Sequence, residues 1–196
     1  GNLTETRKNG VGSTGNASFG YFGGGQGYPA PTRSSIDRID YSNDTATAPS
    51  KGPLAQASYN LSATGNSSFG YFGGVSSPQT KIDRVDYSND TATATPKGTL
   101  SSARYAVSAT SSRENGTPTT TSSTVDKGAD GYTNQSLGPA YGYFAGGSPA
   151  QTTVTRLDFG NDTATQTSKG NLVEETLSFG GTASASYAYF YGGQPS

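Results

Sequence analysis

The sequence predicts an all-β fold made of tandem four-stranded units of about 46–50 residues, a length typical of β-repeat architectures. Two observations predict it: an aromatic–glycine segment occurs four times, and a strand-like segment followed by an Asn-Asp turn occurs three times. Tyr, Phe and Thr are favoured in strands, whereas no stretch has the apolar spacing of an amphipathic helix. The units would either close into a ring of about four sheets or form an open array.

The aromatic–glycine segment is the first recurring element. Its rings alternate with glycine, which allows another chain segment to approach closely on one side of the strand. A pair of glycines follows and ends or sharply bends the strand. The four copies occupy residues 19–24, 69–74, 141–147 and 187–193, and their glycine pairs are Gly23 and Gly24, Gly73 and Gly74, Gly146 and Gly147, and Gly192 and Gly193.

The second element is a strand that ends in an aspartate and an aromatic ring. Its three copies occupy residues 36–47, 82–93 and 154–165, and the rings are Tyr41, Tyr87 and Phe159. An Asn-Asp pair follows each ring, and such side chains stabilise turns by bonding to their own backbone. A third element, Lys-Gly-x-Leu, occupies residues 51–54, 97–100 and 169–172, and residues 1–3 match it without the lysine.

The spacing of these elements gives the domain organisation. Asn43 and Asn89 are 46 residues apart, whereas Asn89 and Asn161 are 72 apart. The excess lies in a polar stretch rich in Ser, Thr and Gly, which we interpret as an insertion at about residues 111–139 that loops from one face of the array. We expect one β-repeat domain at 1–196, with a partial unit at 1–24 and units at 25–74, 75–147 and 148–193.

Both ends of the sequence fall within a unit, because there are four aromatic–glycine strands but three Asp-aromatic strands. A closed ring would join the two ends in one shared unit that lacks an outer strand. An open array would instead leave edges that neighbouring chains complete by adding a strand. The second geometry predicts a filament.

This order of elements resembles the kelch repeat of β-propellers. Kelch units also have a double glycine after an apolar strand and a tyrosine downstream, which here correspond to the glycine pairs and to Tyr41, Tyr87 and Phe159. The resemblance implies a propeller of kelch-like sheets. The chain departs from the kelch pattern in having no Trp; the residues near its place are Thr47, Thr93 and Thr165. The second element is also similar to repeats in structural proteins of aquatic tailed phages and related environmental sequences.

The composition excludes much chemistry. The chain has no His and no Cys, and therefore no Ser-His-Asp triad, no thiolate nucleophile and none of the usual structural zinc sites. Its 13 Lys and Arg residues against 14 Asp and Glu give no basic patch for nucleic acid. No apolar run approaches the roughly 20 residues of a membrane span. We expect no catalytic residues, no cofactor and no metal.

The sequence also has no Met, so residue 1 is not a translation start. We expect that a leader has been removed or that the chain is a piece of a longer product; removal of the initiator alone before Gly1 is the simpler alternative. Removal of a secretory leader would fit export. We therefore expect an extracellular or virion-surface location.

Sequons of the form Asn-x-Ser/Thr are the most numerous local signal. They mark N-glycosylation in exported proteins, although duplication of one Ser/Thr-rich turn also multiplies them. The candidate asparagines are Asn2, Asn16, Asn43, Asn60, Asn66, Asn89, Asn115, Asn134 and Asn161.

Aspartates flank the arginine of the second element. Asp37 and Asp40 lie on either side of Arg38, and Asp83 and Asp86 flank the next arginine in the same way. Calcium prefers several oxygen ligands, but residues three apart do not share a face of a strand. We therefore interpret these carboxylates as weak surface pairs with the arginines on a solvated strand.

Together these features predict a non-enzymatic structural protein, a subunit of an extracellular filament or virion surface appendage. Its expected partners are copies of itself, in an assembly that helical symmetry would suit, because stacked repeats bury a continuous core. The alternative is a glycan-binding, propeller-like adhesin or phage receptor-binding module whose loops, including the insertion, contact glycans.

Overall fold

The computed structural model describes residues 1–27, 29, 31–76, 79–111, 141–177, 179–183 and 187–195. These residues form several antiparallel sheets, with no α-helix and one 3-10 turn at Tyr87–Asn89. The predicted all-β class is therefore confirmed. No closed propeller is detected in the part of the chain that the structure describes. Apart from Ser111, the predicted insertion lies outside the described residues.

Three sheets contain most of the strands. The first consists of β1 (Gly12–Gly15), β2 (Phe19–Gly23) and β3 (Ile36–Asp40), in that order. The second consists of β4 (Ser62–Gly65), β5 (Phe69–Gly73), β6 (Gln79–Asp86) and β7 (Thr95–Arg104). The third consists of β8 (Ser108–Ser111), β9 (Tyr141–Ala145), β10 (Thr153–Asp158) and β11 (Thr167–Asn171).

Four short strands follow the third sheet. They are β12 (Thr176–Leu177), β13 (Gly180–Ala183), β14 (Ala188–Tyr191) and β15 (Gln194–Pro195), in which β12 pairs with β15 and β13 pairs with β14. The β13–β14 hairpin corresponds in the repeat to the β1–β2, β4–β5 and β8–β9 hairpins. It therefore provides the first two strands of a fourth unit.

Glycines in the second strand of each sheet make room for the aromatic ring of the second element. A Cβ added at Gly20 would lie 2.8 Å from the Tyr41 hydroxyl oxygen, and one added at Gly70 would lie 2.7 Å from that of Tyr87. The ring lies across the strand at these positions. The aromatic–glycine alternation thus reflects close approach, as the sequence predicts.

The glycine pairs end their strands through a left-handed residue. The values of φ are 72° at Gly24 and Gly74, 57° at Gly146 and 73° at Gly192. A residue with a side chain is strained at such values, whereas glycine is not. The chain therefore leaves each strand at the place where the sequence predicts a break.

An apolar core fills the space between each pair of neighbouring sheets. Between the first and second sheets it includes Tyr21, Ile36, Leu54, Leu61 and Phe72. Between the second and third sheets the residues at the same repeat positions are Tyr71, Ile82, Leu100, Val107 and Phe144. The core therefore lies between units, and a single unit does not enclose it.

Hydroxyl side chains join the first strands of adjacent sheets, which share no strand ladder. Thr64 donates from Oγ1 to the carbonyl of Thr110 at 2.7 Å, and Ser111 donates from Oγ to the carbonyl of Gly65 at 2.8 Å. The first strands of all four units line one polar cleft of about 270 Å³. Ser and Thr in these strands thus hold neighbouring units side by side.

Replacing Thr64 by Val keeps the side-chain shape but removes the donor to the Thr110 carbonyl. We expect the free energy of unfolding to fall by about 1–2 kcal/mol, measured by urea denaturation. Thr182→Val is the matched control, because Thr182 has the same place in β13 but is exposed, and it should change stability by less than about 0.5 kcal/mol. Equal losses for both variants would contradict this role.

Candidate functional site

Neighbouring sheets contact each other at a polar joint. In this joint the carboxylate of an aspartate from the following sheet contacts a set of hydrogen-bond donors on the preceding sheet. Between the first and second sheets this aspartate is Asp90. Its Oδ2 accepts hydrogen bonds from the Tyr21 hydroxyl at 3.0 Å and from Arg38 Nη1 at 2.7 Å, and its Oδ1 lies 3.3 Å from Lys51 Nζ. We call this arrangement, with the glycine described below, the turn joint.

The same arrangement recurs between the second and third sheets. Asp162 Oδ2 accepts from the Tyr71 hydroxyl at 3.0 Å and from Arg84 Nη1 at 2.7 Å, and Oδ1 lies 3.6 Å from Lys97 Nζ. Both aspartates are 8 % exposed. The carboxylate is thus removed from water in both joints and satisfied by a phenol and two cations, as a buried charge requires.

A glycine completes each turn joint. The N–H of Gly52 donates to the Asp90 carbonyl at 2.7 Å, and that of Gly98 donates to the Asp162 carbonyl at 2.6 Å. A Cβ at Gly52 would lie only 1.8 Å from the carbonyl oxygen of Ala92, and one at Gly98 would meet the equivalent oxygen at 1.9 Å. The Lys-Gly-x-Leu element therefore needs its glycine so that the next turn can approach.

Ring stacking places the tyrosine donors. The ring centroids of Tyr21 and Tyr87 are 4.7 Å apart, and those of Tyr71 and Phe159 are 5.1 Å apart, with nearly parallel planes in both pairs. Burial, followed by the charge of the joint aspartate, raises the pKa of Tyr21 and Tyr71 well above the usual phenol value. Both hydroxyls therefore remain protonated donors at physiological pH.

Cation–π contacts place the arginine donors. The guanidinium carbon of Arg38 lies 4.1 Å from the ring centroid of Phe19, and that of Arg84 lies 4.3 Å from the ring centroid of Phe69. The ring supports one face of the guanidinium while an edge points at the carboxylate. The first aromatic residue of the aromatic–glycine segment thus has a defined task in the joint.

The turn joint is half built at the first sheet. Asp44 has the same repeat position as Asp90, and its carbonyl accepts from the N-terminal ammonium of Gly1 at 2.6 Å. Its side chain is exposed, and no donor among the described residues contacts its carboxylate. The ring of the same unit, Tyr41, is 54 % exposed. The first sheet therefore presents an aspartate and a ring without the phenol and the cations that meet them elsewhere, while Gly1 has the place of the joint glycine.

At the third sheet the donors of the turn joint are present and its aspartate is not, within the described residues. Tyr143, Arg156, Lys169 and Gly170 have the positions of the donors, and the Arg156 guanidinium lies 4.0 Å from the ring centroid of Tyr141. Within the described ranges, none of these four donors contacts a carboxylate. The third sheet thus presents the donors without the aspartate.

The interpretation of Asp37 and Asp83 as parts of solvated surface pairs is wrong. Asp37 is fully buried and lies 3.2 Å from Arg7, and Asp83 is also buried. Arg38 and its counterpart in the next unit reach instead to the aspartate of the following sheet. The reason is that alternate residues of a strand point to opposite faces, and both faces of these strands are covered.

The predicted turns are present, but another aspartate closes them. The carboxylates of Asp40, Asp86 and Asp158 accept from the backbone N–H two residues further on, at 2.8–2.9 Å. Hydrogen bonds from serine hydroxyls lower the pKa of Asp40 and Asp86. The aspartate of each Asn-Asp pair is then available to reach across the joint.

The predicted glycosylation sites fall into three groups. Asn2, Asn43, Asn89 and Asn161 are exposed, and Asn16, Asn60 and Asn66 are half-buried. The amide oxygens of Asn16 and Asn66 accept backbone hydrogen bonds that close the β1–β2 and β4–β5 turns. Asn115 and Asn134 lie outside the described residues. Glycosylation of these residues stays a prediction.

Sequence reasoning missed the residues of the turn joint as a site. Their signal was available: a Tyr, an Arg, a Lys and an Asp recur at fixed places in each of the three units. From the sequence, the Arg is paired with aspartates of its own unit and the Lys is assigned no partner, whereas the next unit contributes the carboxylate that both contact. A comparison across units would have found the set.

A second buried position varies between sheets. In the first sheet Asp37 pairs with Arg7, whereas Asp83 forms no ion pair with any described residue and accepts a hydrogen bond from the Ala55 N–H at 3.0 Å. In the third sheet Thr155 has this position and accepts from Arg104 of β7. The Arg104 side chain also donates to backbone carbonyls, and burial lowers its pKa to about 10. The second sheet thus holds a buried acid that forms no ion pair among the described residues, and burial outweighs the charge of nearby Lys81.

No family model matches the chain, and no curated protein matches it either. In the described part of the chain, no helix is long and apolar enough to cross a membrane. Among the same residues, no three acidic side chains gather into a group that could hold a metal ion. The turn joint is therefore the most developed polar site that the described residues offer.

Replacing Asp162 by Asn should weaken the joint between the second and third sheets. Arg84 and Lys97 would then face each other without a counter-charge, so we expect a loss of about 2–4 kcal/mol in the free energy of unfolding. Asp44→Asn is the matched control and should change stability by less than about 0.5 kcal/mol. Urea unfolding at pH 7 measures both, and a similar loss for both variants would contradict the account.

Replacing Asp83 by Asn should alter how stability depends on pH. Burial raises the pKa of Asp83 above its ordinary value of 3.8, so the folded state binds its proton more tightly than the unfolded state. Stability therefore falls as the pH rises from that value through the raised pKa, and the variant should lack this fall. We expect Asp83→Asn to be more stable than the parent at pH 7 but not at pH 3.

Thermal unfolding across that pH range tests this expectation. Asp37→Asn is the control, because removing the partner of the buried Arg7 should lower stability at pH 7. If Asp83→Asn also lowers stability at pH 7, the buried carboxylate is compensated in a way that its contacts do not reveal, and the expectation is wrong.

Proposed function

We propose that this chain is a non-enzymatic structural protein, a subunit of an extracellular filament or virion surface appendage that assembles with copies of itself through its β-repeats. One observation carries the proposal. The turn joint is complete twice within the chain, while the first sheet offers its aspartate and the third sheet offers its donors. The aspartate of the first half joint and the cations of the other are opposite in charge.

The proposed architecture is an open array of kelch-like, four-stranded units. The recurring strand order, the glycine pairs and the side-by-side packing of first strands support the resemblance to kelch sheets. The aspartate side of one unit and the donor side of another form a heterologous pair of faces. Such faces generate helical filaments when successive contacts do not close into a ring.

The proposed location and lack of catalysis draw their support from composition and from the joints. The chain has no His and no Cys, so an imidazole general base and a thiolate nucleophile are both absent. Asp90 and Asp162, buried carboxylates of the kind that enzymes adapt for catalysis, are neutralised within the joints. The Ser- and Thr-rich surface with exposed sequons suits an extracellular or virion surface.

A glycan-binding module is the second candidate, and one observation favours it. Tyr189 and Tyr191 are 55 % and 64 % exposed and line a groove beside the third sheet. Exposed tyrosines present a flat apolar face with a polar end, which suits stacking on sugar rings. In that case the chain would stay monomeric and would bind glycans through this groove.

Sedimentation velocity across a wide range of concentrations tests the structural proposal. We expect species larger than the monomer to increase with concentration, and negative-stain micrographs of the same samples to show filaments. A monomer at every concentration would overturn the proposal. Binding to a glycan array by that monomer would favour the second candidate.

A further inference from the structure

We infer that the groove beside the third sheet is a receptor for an extended peptide segment of the repeat's own type, a third strand followed by an Asn-Asp turn. Tyr143, Arg156 and Lys169 would bind the carboxylate of that turn. The inference rests on the proposed function only for the source of the segment, which would be a neighbouring chain of the assembly.

The arginine of the receptor is already placed as it is in the two complete joints. The Arg156 guanidinium lies over its ring at 4.0 Å, against 4.1 and 4.3 Å for the arginines that hold Asp90 and Asp162. Tyr143 and Lys169 both line the groove. Since an arginine supported in this way is already oriented, little ordering would be needed when a carboxylate arrives.

The apolar side of the same joint is incompletely covered. At the complete joints the matching residues are buried, with exposures of 3 % or less: Tyr21, Ile36 and Leu54, and Tyr71, Ile82 and Leu100. At the third sheet their counterparts Tyr143, Val154 and Leu172 are all half-buried. They line a groove of about 670 Å³. Covering these side chains would remove apolar surface from water.

The β13–β14 hairpin determines which kind of segment the groove can bind. Phe179 and Phe190 in and beside this hairpin correspond to Leu61 and Phe72 of the second sheet, and they already line the groove. Within the described residues β14 pairs with β13 alone, so its other edge is open to an added strand. The first two strands of the fourth unit are thus in place, and the vacant position is that of a third strand with its turn.

The complete joints define the chemistry of this segment. Val85, Tyr87 and Asp90 enter the first joint, and Leu157, Phe159 and Asp162 enter the second. Both sets have an apolar residue, an aromatic residue two positions later and an aspartate three positions after that. The apolar side chain would meet the half-buried wall, the ring would stack on Tyr143, and the aspartate would meet the two cations.

Glycine at position 170 permits the approach of such a turn. A Cβ at Gly170 would meet no atom within 4 Å, whereas Cβ atoms at Gly52 and Gly98 would collide with the turn that each receives. The space that the turn fills at Gly52 and Gly98 is therefore free at Gly170. Glu174 lines the same groove but makes no ion pair with Lys169 in the described structure.

A fluorescent peptide of residues 81–98 tests the inference when titrated into the full chain. We expect saturable binding of one peptide per chain, measured by fluorescence anisotropy. An Asp90→Asn peptide should bind at least about 10-fold more weakly, since it loses the charge-assisted hydrogen bonds. Absence of binding, or equal binding of the two peptides, would overturn the inference.

Two chain variants locate the binding site. Arg156→Gln should weaken binding of the parent peptide by at least about 10-fold, and Lys169→Gln, at an exposed position, repeats the test without risk to the fold. Lys81→Gln is the matched control, because it removes one positive charge that does not line the groove, and it should change binding less than twofold. Equal effects of all three variants would overturn the proposed site.

Failure of the receptor inference and failure of the assembly proposal give different experimental results. Peptide binding by a chain that stays monomeric in sedimentation would support the receptor and reject homomeric assembly. Filaments formed by a chain that does not bind the peptide would support assembly and reject the receptor.

Discussion

Each joint between sheets depends on one aspartate that reaches from the turn of the following sheet into a phenol and two cations on the preceding sheet. Removing a carboxylate from water is costly unless its oxygens are satisfied. Here Asp90 and Asp162 each receive two hydrogen bonds and a nearby ammonium, while their backbone carbonyls accept from a glycine. The sheets can therefore pack only in the register that brings these groups together.

The unusual composition follows from this way of joining sheets. Charged residues make up 14 % of the chain and apolar residues 30 %. The chain therefore has few apolar side chains with which to form a conventional core. It places Tyr, Phe and Leu between the sheets and glycine where a ring or a turn must approach closely. Hydroxyl groups then join the first strands, which no backbone ladder connects.

Residues that act within one unit were predictable from the sequence. The all-β class, the breaks after the glycine pairs and the positions of the turns all follow from local pattern, because strand propensity and left-handed glycines act over a few residues. Contacts between units were not predictable in this way. Arg38 has an aspartate on each side in the sequence, yet its partner Asp90 is 52 residues away.

The same limit explains the misreading of Asp37 and Asp83. On a strand with one solvent-exposed face these carboxylates would be exposed. No local sequence pattern indicates that a second layer covers that face. Burial depends on the neighbouring units, and in a repeat array those neighbours come from distant sequence. A fixed Tyr, Arg, Lys and Asp in every unit is the pattern that would have indicated a contact between units.

Hydrogen exchange at three equivalent glycine amides tests the turn joint most directly. The N–H groups of Gly52 and Gly98 donate to the carbonyls of Asp90 and Asp162, whereas Gly170 has no following turn in the described structure. The account predicts that Gly52 and Gly98 exchange slower than Gly170 by a factor on the order of 100 or more, as amides closed by stable structure do. Equal exchange at all three glycines in the monomeric chain would contradict it.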